Sequence, residues 1–108
     1  MSYAETIKQH AGVQKRVEII FSQALEEDFV QLFKEAEVAT RYTKLAGVMG
    51  AGYSNPRLGD AIWPQLNLMY IIYCNEEDAK KIVEIVEKLR LQYIGEGIAC
   101  FLSESTEV

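Results

Sequence analysis

The sequence predicts an α+β domain in which two helices lie on one face of a four-stranded antiparallel sheet. Three observations predict it: four short apolar runs of strand type, two segments with helical apolar spacing, and their alternation as β-α-β-β-α-β. The chain has 108 residues, enough for one hydrophobic core and not for two. Hydrophobic residues make up 49% and charged residues 25%, a globular composition without a disorder signature.

Residues 1–15 are polar and mixed. Ala4 to Ala11 has the makings of a short helix that Gly12 would end, so 1–15 is set apart as an N-terminal extension. Val17-Glu18-Ile19-Ile20-Phe21 reads as the first strand. Leu25, Phe29, Leu32, Phe33 and Ala36 then recur at spacings that place them on one face of a helix. Glu26, Glu27, Lys34 and Glu35 fall on the other face, and acidic residues in the first turn suit the helix dipole. Arg41 to Met49 reads as the second strand. A loop from Tyr53 to Gln65 follows, holding both prolines and Trp63.

Leu66 to Cys74 reads as the third strand. Asn75 is a good N-cap, and Glu76, Glu77 and Asp78 fill the first turn of a second helix. That helix is expected to bury Ala79, Ile82, Val83, Val86 and Leu89. Ile98 to Leu102 is the last strand, and 103–108 is a polar, acidic tail. Two strand-helix-strand units in tandem make a split βαβ, the ferredoxin-like sandwich. Right-handed crossovers put both helices on the same side of its sheet.

An antiparallel sheet with one wet face should alternate apolar and polar residues. These strands do not. In the third strand Leu68, Tyr70 and Ile72 share one side, while Met69, Ile71 and Tyr73 share the other. In the last strand Phe101 opposes Cys100 and Leu102. A second apolar face of several hundred Å² is more than a monomer usually leaves in water. At roughly 25 cal/mol per Å² it would drive association. Cyclic closure with identical copies is the expected way to cover it.

The net charge is −5, which argues against nucleic acid, where a basic face must displace counterions, and against anionic membrane surfaces. No stretch is apolar and long enough to cross a bilayer, and the N-terminus lacks the pattern of a signal peptide. A cytoplasmic protein is expected. Cys74 and Cys100 read as small buried hydrophobes, with neither disulfide nor metal spacing. His10 stands alone among histidines, so no metal cluster is built around it. No nucleophile and base pair can be assembled, so the expectation is a protein that is not an enzyme.

Two glycine corners stand out. Gly50-Ala51-Gly52 ends the second strand, and Gly95-Glu96-Gly97 links the second helix to the last strand. Such corners let backbone approach an anion or another chain. Arg57 in the intervening loop is a candidate to reach an anion or a partner. Arg41 and Lys44 read as edge-strand charges that discourage aggregation.

Tyr93-Ile94-Gly95-Glu96-Gly97-Ile98 is similar to the Lys-Ile-Gly-Asp-Gly-Lys corner of the nitrogen regulatory P-II family. Val48-Met49-Gly50-Ala51-Gly52 resembles that family's Val-Lys-Gly-Phe-Gly at the base of its effector loop. The match in element order covers about residues 16–104, and the chain looks like a divergent P-II-like member, with 16–108 as its ferredoxin-fold domain. The resemblance implies a homotrimer with sheets facing inward. It also implies an effector, an adenine nucleotide or another small anion, in the clefts between subunits. A loop after the second strand would act on a target protein. The implied ligand-binding residues are Gly50, Gly52, Ser54, Arg57, Tyr93, Gly95, Glu96 and Gly97.

The chain also departs from the family. Tyr93 and Ile98 stand where lysines are expected, Ser54 stands in place of a glutamine, and 99–105 lacks the arginines that complete the phosphate site. Backbone N–H groups alone anchor a polyanion weakly, so a smaller anion or another nucleotide is favoured over ATP. Two readings of other classes compete. One is a trimeric metal-binding protein of the copper-tolerance type, which shares fold and assembly. The other is an amino-acid-binding regulatory module.

Overall fold

The computed structural model describes residues 14–51 and 66–107. The chain forms β1 (Gln14–Ser22), a 3₁₀ turn (Gln23–Leu25), α1 (Glu26–Ala36), β2 (Thr43–Val48), β3 (Asn67–Cys74), α2 (Glu76–Gln92) and β4 (Ala99–Ser105). The strands form one antiparallel sheet in the order β2-β3-β1-β4. This is the predicted ferredoxin-like arrangement, with β1 and β3 central. Boundaries differ in detail. β1 begins at Gln14 rather than Val17, because it pairs through Gln14↔Ser105 and Lys15↔Cys74. β4 extends to Ser105 for the same reason, taking in residues expected in the tail. β2 is shorter than Arg41 to Met49. The expected helix in 4–11 and the whole of the loop 53–65, Trp63 included, lie outside the described residues.

Register decides which residues share a face. Val17↔Ile72, Ile19↔Tyr70 and Phe21↔Leu68 stand opposite each other across the central pair. All six are buried with Phe29 and Phe33 of α1 and Ile82, Val86 and Leu89 of α2. An aromatic cluster anchors one side of this core. The Phe21 and Phe29 rings are 4.2 Å apart, Phe21 and Tyr70 5.5 Å, and Phe29 and Phe33 5.7 Å. The α2 face is rotated slightly from expectation: Ile85 is buried, while Val83 is only half-buried. Both cysteines are half-buried free thiols rather than fully buried ones. Burial raises the pKa of each.

The helix ends follow local chemistry. Asn75 caps α2 through its side-chain oxygen, which accepts from the Asp78 N–H at 2.7 Å. α1 begins with Glu26, Glu27 and Asp28 at the positive end of its dipole. It ends in a Schellman arrangement, with Val38 N–H donating to the Phe33 carbonyl (3.0 Å) and Glu37 N–H to the Lys34 carbonyl (3.2 Å). Glu37, not glycine, takes the left-handed position at φ 56°. Val38 is buried beneath it.

The other sheet face is covered by no described element. Glu18↔Ile71, Ile20↔Met69 and Leu45↔Met69 place these side chains on it, and Glu18↔Phe101 adds Phe101. Phe101 is 60% exposed and Leu45 47%. At one end of this face the Arg16 guanidinium donates to the Tyr73 hydroxyl (2.8 Å) and to the Glu18 carboxylate (3.2 Å). The two-sided apolar character read from the strands is therefore a feature of the folded sheet.

Candidate functional site

The two glycine corners lie at the same end of the sheet. β1 ends there, β3 and β4 start there, and β2 runs out there. They do not lie together. Gly50 belongs to the β2 edge and Gly95 to the β4 edge, with β3 and β1 between. Three strand spacings separate the edges by about 14 Å.

Each corner has its own geometry. Gly95 has φ +97°, a conformation that disfavours any side chain, and nothing lies within 4 Å of where a Cβ would stand. The corner is thus open on the side of Gly95. Glu96 N–H donates to the Tyr93 carbonyl at 3.1 Å and closes the turn. Gly97 is exposed, and Glu96 is half-buried. At Gly50 a Cβ would stand 3.4 Å from the Asn67 side-chain amide, an ordinary contact, so neither space nor backbone conformation demands glycine there. A third glycine, Gly47, went unremarked in the sequence. Its φ of +68° permits the irregularity between Leu45 and Val48 that bends the end of β2.

Tyr93 turns inward. Its hydroxyl donates a short hydrogen bond to the Asp28 carboxylate of α1, which raises the phenol's pKa. The side chain packs on the core and ties the corner to both helices. Gly52, Ser54 and Arg57 lie outside the described residues. Of the sequence-predicted site residues, the structure therefore groups Tyr93, Gly95, Glu96 and Gly97 at one corner and Gly50 at the opposite edge.

Arg90 is the residue that sequence reasoning missed. It sits in the last turn of α2. Its Nε and an Nη donate to the Ile98 carbonyl at 3.1 and 2.9 Å. The guanidinium is thereby fixed across the corner. A basic residue eight positions before Ile98 was the available signal, but last-turn arginines ordinarily serve the helix dipole.

Lys44 also does more than guard an edge. Its ammonium lies 2.6 Å from the Glu26 carboxylate, and the Tyr70 hydroxyl donates to the same oxygen at 2.6 Å. Tyr42 stacks on Tyr70 with centroids 5.1 Å apart. These contacts pin β2 to the start of α1. Among the described residues, no group of three or more His, Cys, Asp or Glu could hold a metal ion. Among the same residues, no helix is long and apolar enough to cross a membrane.

The fold, with its open sheet face and paired corners, is the ferredoxin-like fold of PII-like proteins. The chain belongs to the nitrogen regulatory protein P-II family, whose model matches residues 14–107. Among solved structures it is similar to CPII from Thiomonas intermedia K12 bound to ADP and bicarbonate. Identity is 20%, coverage 89% of this chain and 91% of that one, and the TM-score 0.66. A second CPII structure, bound to ADP, AMP and bicarbonate, gives 19% identity, the same coverage and a TM-score of 0.68. A PII-like signaling protein from Thermus thermophilus gives 17% identity, 86% coverage of each chain and a TM-score of 0.60. Comparison with curated proteins finds no match.

Proposed function

We propose that the protein is a P-II-like regulator that assembles as a homotrimer. It senses a small effector in the clefts between subunits and acts on a partner protein through the loop after β2. The observation that carries the reading is the outer sheet face. Ile20, Met69, Ile71, Leu45 and Phe101 line it and no described element covers it. Copies meeting there would bury it by closure. The corners fit the same assembly: one small ligand cannot touch both Gly50 and Gly95 across about 14 Å of one sheet. It can do so if the β2 edge of one copy meets the β4 edge of the next.

Gly50, Gly52, Ser54, Arg57, Tyr93, Gly95, Glu96 and Gly97 are the proposed cleft residues, with Tyr93 holding the corner through Asp28. The effector is proposed to be an adenine nucleotide or a small anion. CPII, similar in fold, has been solved with ADP, AMP and bicarbonate. ATP is the less favoured ligand, because Tyr93 and Ile98 replace the lysines of the family's corner. In this reading the domain is 16–108, 1–15 is an extension whose last two residues run into β1, and the protein is a cytoplasmic regulator rather than an enzyme.

Analytical ultracentrifugation at micromolar concentration, with thermal shift against ATP, ADP, AMP and bicarbonate, tests the proposal. A trimer stabilised by one of these ligands is the expected result. A well-behaved monomer would remove the shared clefts and the reading with them.

A further inference from the structure

We propose that the hydrogen-bonded network of Arg16, Glu18 and Tyr73 selects the arrangement in which copies of the chain meet on the outer sheet face. The partner it fits is a second copy turned the same way up; the partner it excludes is a copy turned end for end. This rests on the reading that copies meet on this face, and it names the residues that choose between the two arrangements.

The outer face is not uniform along its strands. Register places Ser103, Arg16 and Tyr73 in one row across β4, β1 and β3. Four residues further along β1, Ala99, Ile20 and Met69 make a row with no polar side chain. The two rows are about 13 Å apart, and Glu18 stands between them on the central strand. The face thus has a polar level and an apolar level.

The polar level is tied together within the chain. The Arg16 guanidinium donates to the Tyr73 hydroxyl at 2.8 Å and to the Glu18 carboxylate at 3.2 Å. It also stands 5.8 Å from the centre of the Tyr73 ring. Arg16 and Glu18 are half-buried although no described element covers the face. Two of the five N–H donors of the guanidinium are committed in this way, and its place on the face is fixed by them.

Contact between copies strips water from this network. A charge survives that where hydrogen bonds and a counter-charge go with it, and not where it meets an apolar surface. With both copies the same way up, polar level meets polar level, and carboxylate and hydroxyl oxygens face the remaining guanidinium donors. With one copy turned end for end about the level of Glu18, Arg16 comes to lie against Ile20 and Met69 and meets no acceptor there. Polar groups within an apolar contact fix register and copy number by this means, at a cost in affinity.

The test is sedimentation velocity and native mass spectrometry of the full chain, of Arg16→Met, of Glu18→Leu, of the two changes combined, and of Tyr73→Phe. Either single charge removal strands the other charge in the contact and should raise the dissociation constant of the assembly at least about tenfold. Tyr73→Phe deletes one acceptor at an exposed position, spares the fold, and should raise it about fivefold. The double variant should associate at least as tightly as the unaltered chain, but as a mixture of stoichiometries. Circular dichroism of each sample checks that the subunit is folded. Charge variants and Tyr73→Phe that associate like the unaltered chain would put the network outside the contact and overturn the proposal. So would a double variant that keeps a single stoichiometry. Both results leave the assembly itself standing. An unaltered chain that stays monomeric sinks the shared face and this inference together, and association appearing only in the double variant would then make the pair a guard against self-association.

Discussion

The two faces of the sheet carry similar amounts of grease and different chemistry around it. On the helix side, Val17, Ile19, Phe21, Leu68, Tyr70 and Ile72 are buried within the chain itself. Polar groups there are paired, as with the Tyr70 hydroxyl on Glu26. On the outer side, Ile20, Met69 and Ile71 are half-buried, while Leu45 and Phe101 stand exposed. The first face explains why one chain folds. The second is what one chain cannot satisfy. Folding and assembly thus draw on opposite sides of the same four strands, and mutations should separate them.

The largest effect is expected in the aromatic core. Phe29 is fully buried, and its ring packs tilted against Phe21 with centroids 4.2 Å apart. Phe29→Ala should cost about 3–5 kcal/mol of subunit stability, read as a lowered midpoint in urea denaturation. Next comes a charge on the outer face. Ile71→Lys should disrupt association and lower the sedimentation coefficient while changing the circular dichroism spectrum little. A self-association that survives Ile71→Lys would mean that copies do not meet on this face, and the contrast between the two sides would fail.

Much of this division was legible in the sequence because strand periodicity reports faces directly. Met69, Ile71 and Tyr73 between Leu68, Tyr70 and Ile72 admit no dry-and-wet assignment. The corners were legible for the same local reason: glycine spacing survives without knowledge of packing. Long-range pairings were not legible. Tyr93 in a family-like corner reads as a ligand residue, yet its hydroxyl meets Asp28, far away in sequence. Lys44 on an edge reads as solvated, yet α1 brings Glu26 to it. Arg90 reads as a helix-end charge, and only the turn back into β4 sets its guanidinium on the Ile98 carbonyl. The register that extends β1 and β4 beyond their apolar cores is likewise a property of paired strands, not of either run alone.

The Glu26, Lys44 and Tyr70 cluster gives the helix side a pH signature that the outer face need not share. Hydrogen bonding from Lys44, then from Tyr70, lowers the Glu26 pKa from its ordinary 4.5. A depressed folded value means stability present above pH 4.5 and lost as pH falls through the folded pKa. Burial first, and the bond to Glu26 second, push the Tyr70 phenol above its ordinary 10. That contribution is present below pH 10 and lost as pH climbs beyond it. Glu26→Gln should cost about 1 kcal/mol near neutrality, given its partial exposure. It should also flatten the acid side of the stability profile measured by denaturation across pH. An unchanged acid slope would assign the acid loss to other carboxylates.

The smallest effect sharpens the contrast by improving the covered side alone. Glu37 holds the left-handed position at the end of α1 with φ 56°, where a side chain costs about 1 kcal/mol relative to glycine. The hydrogen bonds that define this cap come from backbone groups, Glu37 N–H to Lys34 and Val38 N–H to Phe33. A side-chain deletion leaves them in place. Glycine also frees the unfolded chain, which offsets part of the gain. Glu37→Gly should therefore stabilise the subunit by about 0.5 kcal/mol, seen as a raised denaturation midpoint. The sedimentation behaviour should not change, because Glu37 lies between the helix layer and β2 and not on the outer face. If the variant shifted the association equilibrium as well, the two faces would be energetically coupled through β2.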